Sequence, residues 1–135
     1  MEREQFEKIV IKGIEAIPKR FLEKLENVDI CVEQEPNYYQ LKKMKKREKS
    51  FLILGLYEGV PQTKRFHYGQ VLPDKITIFQ KPIEKVASVR AKKKGTDFKK
   101  EIKELVKKTI WHEIAHHFGM DERQIKETEK KKKNG

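Results

Sequence analysis

Residues 112–118 read His-Glu-Ile-Ala-His-His-Phe, and three of the chain's four histidines fall among them. The stretch contains the pattern His-Glu-x-x-His. On a helix, His112 and His116 leave the same face one turn apart. Two imidazole nitrogens in that arrangement suit one Zn²⁺ ion, which takes histidine nitrogen at about 2.0–2.1 Å. Glu113 is turned about 100° from His112, so it reaches a water on the metal rather than the metal itself. The chemistry these residues point to is metal-assisted hydrolysis, with Glu113 as general base.

A long helix must present them. Residues 97–118 contain no proline or glycine, and Asp97, after the breaker Gly95-Thr96, is a helix N-cap. Ile102, Leu105, Val106, Thr109, Ile110, Ile114 and Phe118 recur at helical spacing and form one buried stripe. Lys100, Glu104, Lys107, Lys108 and Trp111 fall towards the other side. His112 and His116 project at the flank of the stripe and Glu113 within it. A carboxylate aimed inward is costly without a partner, and a water on the metal is one such partner.

A zinc site of catalytic type needs a third protein ligand and an open position. Gly119 follows as a helix C-cap, which lets the chain turn back towards the metal. The run His112-Glu-x-x-His116-x-x-Gly119-x-x-Glu122 has the extended spacing of the metzincins, with a carboxylate where they carry a third histidine. Spacing favours Glu122 as third ligand. Asp121 beside it competes, and has a rival role as N-cap of a last helix over 122–130. His67, the histidine outside the helix, is a further alternative.

On these residues the chain resembles the small bacterial zincin-like metallopeptidases, also called minimal metalloproteases, whose motif is similar to His-Glu-x-x-His-x-x-Gly-x-x-Asp. The likeness extends to Ile17-Pro-Lys-Arg-Phe21, Leu54-Gly-Leu-Tyr-Glu-Gly-Val-Pro61, Tyr68-Gly-Gln-Val-Leu-Pro-Asp-Lys-Ile-Thr-Ile-Phe79 and Pro82-Ile-Glu84, and covers residues 4–126. This chain departs from the pattern in carrying Glu122 where aspartate is usual, and in a strongly basic loop over 39–49. The resemblance implies a zinc-binding, peptidase-like α+β fold acting on a peptide or protein substrate.

Length and composition agree with a single compact domain; the resemblance implies that residues 1–126 are a zincin-like domain, followed by a basic tail over 127–135 that is expected to be disordered. There is no apolar run long enough for a membrane span, and the N-terminus is charged rather than a signal peptide. One cysteine, Cys31, excludes an internal disulfide and suits a reducing cytoplasm. Charged residues make up 39% of the chain, dominated by lysine and glutamate, a thermophile-like composition.

Periodicity predicts helices over 3–16 and 18–25, and strands over 28–33, 51–57 and 75–80. A short helix follows over 83–89, then a basic loop over 90–95 and the metal helix. This order gives a small sheet with the metal helix packed on one face. An extended substrate can add to a sheet edge supplied by 75–80 or 57–61.

Other residues have modest readings. His117 points about 100° away from His116 and is a partnered structural histidine rather than a ligand. Tyr68 either anchors a loop or donates to an oxyanion beside the metal. Arg65 can meet a substrate carboxylate. The net charge is +11, with basic runs at 42–49, 92–94 and 130–133. Flanked by Tyr38 and Tyr39, the first run can bind nucleic acid or an acidic protein, or it is a solvated surface. The alternative to an enzyme is therefore a catalytically silent domain, stapled by zinc, that binds such a partner.

Overall fold

The structure, a computed structural model, describes residues 1–23, 25, 27–47, 53–59, 66, 67, 70, 71 and 73–118. In chain order its elements are α1 (Arg3–Glu15), α2 (Lys19–Leu22), β1 (Val28–Glu33), α3 (Tyr38–Arg47), β2 (Gly55–Glu58), β3 (Phe66–His67), β4 (Gln70–Val71), β5 (Asp74–Phe79), α4 (Gln80–Lys94) and α5 (Phe98–His117). The architecture is the expected α+β layer. Three strands run in the order β1-β5-β2, with β1 parallel and β2 antiparallel to β5, and β3 pairs separately with β4.

Strand β5 explains how the sheet is covered. Ile76, Thr77, Ile78 and Phe79 are all fully buried, although their side chains alternate between faces. Ile76 and Ile78 join Val32 and the apolar residues of α1, α4 and α5 in the main core. Phe79 instead packs with Ile53 and Leu56 on the opposite face. The predicted strand over 75–80 begins one residue earlier, at Asp74, and Gln80 opens α4. Because β5 is the inner strand, it cannot supply the free edge expected of 75–80. Among the described residues, β2 is an edge strand, and it contains Tyr57, the first residue of the other candidate segment.

Two predicted loops are helices. The basic stretch expected as a loop over 39–49 forms α3 through Arg47. Its start is fixed by a reciprocal capping box. The Asn37 side-chain oxygen accepts from the Gln40 amide at 2.8 Å, and the Gln40 side chain accepts from the Asn37 amide at 2.9 Å. The stretch 90–95 continues α4 to Lys94, since alanine and lysine are good helix formers. Gly95, at φ 66°, then ends the helix in the left-handed conformation that glycine adopts cheaply.

Helix α5 matches its prediction closely. Asp97 is the N-cap, and its side chain accepts from the Lys100 amide at 3.3 Å. The apolar stripe is buried from Ile102 to Ile114. Trp111, expected on the polar side, is buried as well. Phe21 of α2 covers it, with ring centroids 4.9 Å apart in an edge-on arrangement. Among the described residues no helix is long and apolar enough to cross a membrane.

Candidate metal centre

The site begins with how closely α5 lies on β2. A Cβ built on Gly55 would sit 2.6 Å from Thr109 Cγ2 and 3.3 Å from Glu113 Cγ. Only a residue without a side chain lets the helix come this near. The close approach carries Glu113 onto the strand. Its side chain is 2% exposed, and its Oε1 accepts a hydrogen bond from the Tyr57 backbone N–H at 2.7 Å. The inward-facing carboxylate expected from the sequence is therefore held by the sheet.

Around the helix from Glu113, the half-buried His112 and His116 face one another edge-on, with ring centroids 4.8 Å apart. Their Nε2 atoms are 3.2 Å apart. Two nitrogens at about 2.0–2.1 Å from one tetrahedral zinc stand about 3.3 Å apart, so the pair is spaced to share an ion. His112, Glu113 and His116 offer ligand atoms that all lie within 4.8 Å of one another. Imidazole nitrogen beside a carboxylate is a donor set that suits zinc, as it does several other transition-metal ions. The residues present thus fit the metal.

A second cluster abuts this one. The Tyr57 hydroxyl donates to Asp74 Oδ2 at 2.9 Å. His117 Nδ1 lies 3.3 Å from the same oxygen and 3.2 Å from the Tyr57 hydroxyl. Asp74 is 2% exposed, and a buried carboxylate requires such partners. His117 is partnered as expected. The sequence reading missed Asp74 and Tyr57. Asp74 heads an apolar strand and was legible only as a turn residue after Pro73, while Tyr57 read as one more member of an apolar run.

On the far face of the sheet, Glu58 accepts from Lys43 Nζ at 2.7 Å and from Gln40 Nε2 at 3.5 Å, which fastens α3 to β2. Burial works to raise the Glu58 pKa, but the Lys43 and Gln40 contacts outweigh it and hold the carboxyl below its ordinary value of 4.5. Tyr38 and Tyr39 of α3 are exposed, and their rings meet edge-on at 5.8 Å.

Of the other predicted site residues, His67 lies in β3. Arg65, Tyr68, Gly119, Asp121 and Glu122 lie outside the described residues. The chain matches the family model of the zincin-like metallopeptidases over residues 25–132 and belongs to that family. No match was found among curated proteins. Membership brings with it the expectation of a bound metal, typically zinc, and His112, Glu113 and His116 form a group that could hold one.

Proposed function

We propose that this protein is a zinc-dependent metallopeptidase that hydrolyses peptide bonds with Glu113 as general base. The observation that carries the reading is the Nε2 pair of His112 and His116 at 3.2 Å, beside a buried Glu113 anchored on its sheet side. His112 and His116 would hold the ion. Glu122 is the proposed third ligand, with Asp121 and His67 as its rivals. Zinc held there would polarise the scissile carbonyl and lower the pKa of water towards neutrality.

The chain's own residues supply the rest. Glu113 accepts a proton from the attacking water as the new C–O bond forms. It then delivers that proton to the nitrogen as the C–N bond breaks, releasing an amine and a carboxylic acid. Glu113 is buried on the flank of the metal pair, so bulk water has little access to its carboxylate.

The test is Glu113→Gln. The variant should keep one zinc per chain while cleavage of a broad peptide library falls by at least about 10²-fold. A wild type that binds zinc and cleaves nothing in that library would replace the peptidase with the zinc-stapled domain.

A further inference from the structure

The Asp74–Tyr57–His117 cluster places a buried carboxylate beside the metal pair, on the core-facing side of β5. On β5 the α5-facing positions are 74, 76 and 78, and the last two are isoleucines in the core. An apolar residue at 74 would satisfy the same layer without burying a charge. The three polar atoms instead close a triangle of 2.9, 3.2 and 3.3 Å, drawn from three different elements.

The triangle bears on the site through the helix repeat. His117 stands four residues after Glu113, as His116 does after His112. The last turns of α5 therefore carry two one-turn pairs, His112/His116 on one face and Glu113/His117 on the face towards the sheet. Tyr57 spans the second pair. Its backbone N–H donates to Glu113 Oε1 at 2.7 Å, and its hydroxyl lies 3.2 Å from His117 Nδ1. One residue thus touches both turns, and Asp74 Oδ2 ties the far end of its ring to β5. The ring is packed edge-on against the imidazole, with centroids 5.4 Å apart.

We infer that Tyr57, clamped by Asp74 and His117, is the positioning residue for Glu113. This rests on the reading of Glu113 as the base. The clamp fixes the tyrosine at both ends, so its N–H holds one carboxylate oxygen in place and limits the rotamers of Glu113. Side chains that act as bases lose rate steeply when misplaced, which gives the cluster a purpose that stability does not. None of the three residues need touch substrate.

The experiment uses the full-length, zinc-loaded, ¹⁵N-labelled protein, with Tyr57→Phe and Asp74→Asn compared against Glu113→Gln. A short bond to a carboxylate moves the residue-57 amide proton downfield and slows its exchange. Glu113→Gln should move it upfield. Tyr57→Phe and Asp74→Asn should shift it part of the way, with exchange at least ten-fold faster there and unchanged at Leu56 and Glu58. Zinc should stay at one per chain, and on any cleaved peptide kcat should fall at least ten-fold with KM unchanged. A wild-type amide at residue 57 in both variants would overturn the inference. So would faster exchange spread evenly over residues 55–58, which is general loosening. Tyr57→Phe keeps the ring and introduces no new polar group, so it carries the test if Asp74→Asn does not fold. If the wild type binds zinc but cleaves nothing, the peptidase reading fails, and the amide readout still decides whether the clamp exists.

Discussion

Replacing Gly55 with alanine should cost far more than a surface methyl group. The new Cβ would meet Thr109 Cγ2 at 2.6 Å, Thr77 O at 3.2 Å and Glu113 Cγ at 3.3 Å. Carbon atoms in contact prefer about 3.5–4.0 Å, so helix and strand must part by about 1 Å or Thr109 must change rotamer. Threonine on a helix has two common rotamers, so only one alternative is open to Thr109. Overpacking of this kind costs about 1–3 kcal/mol. For a domain of this size that lowers Tm by roughly 3–15 °C. The measurement is thermal unfolding of chelator-treated protein, so that metal binding does not mask the loss. Thr109→Ser removes the offending methyl, so adding it to Gly55→Ala should recover more than half the deficit in a double-mutant cycle. The proposed zinc pair, His112 and His116, lies within α5, so zinc should still bind to Gly55→Ala, while the Tyr57–Glu113 contact lengthens. A Gly55→Ala protein melting within about 1 °C of wild type, or no recovery with Thr109→Ser, would refute the close-approach argument.

Four further expectations rest on other residues, and that for Glu122 and Asp121 rests on sequence spacing alone. His112→Ala and His116→Ala should each abolish stoichiometric zinc in metal analysis, and a full equivalent retained by either would remove it from the site. Glu122→Ala should weaken zinc more than Asp121→Ala, whereas the reverse ranking would transfer the role, and indifference to both would point to His67. Asn37→Ala breaks the capping box and should destabilise α3 by about 1 kcal/mol, read as loss of helical signal and lower urea resistance; an unchanged transition would contradict it. Glu58 has its folded pKa below the unfolded 4.5, so its contribution is present above that value and lost as pH falls through the folded value. Glu58→Gln should therefore make unfolding less steep in pH below 4.5, by a small margin because its partner Lys43 is exposed to solvent.

The legible parts of this chain were those written in local code. The length of α5, its Asp97 cap and its buried stripe follow from spacing on one helix, and so does the pairing of His112 with His116. Strand β1 was bounded correctly because turn residues flank it. What stayed hidden depends on partners distant in sequence. Trp111 looked exposed until Phe21 arrived from α2. Nothing in the residues of β5 says that both of its faces are covered. Helix α3 was readable in principle, from the Asn37-x-x-Gln40 cap, but its run of lysines drew attention to charge instead. Asp74 and Tyr57 gain their meaning only when β5 and β2 converge on α5.

The two halves of the site also differ in when they can form. His112 and His116 are four residues apart and need only one helical turn, a structure that forms in about a microsecond or less. Tyr57 and Glu113 are separated by 56 residues, and the strand that holds Tyr57 must first pair with β5. Long-range pairing of this sort is slow, because loop closure must precede the contacts that reward it. On the proposed reading, a chain refolding from the fully unfolded state would pair its histidines before it acquires an oriented base. The proposed peptidase activity would appear among the last events of folding, after the sheet has withdrawn its own peptide backbone from attack.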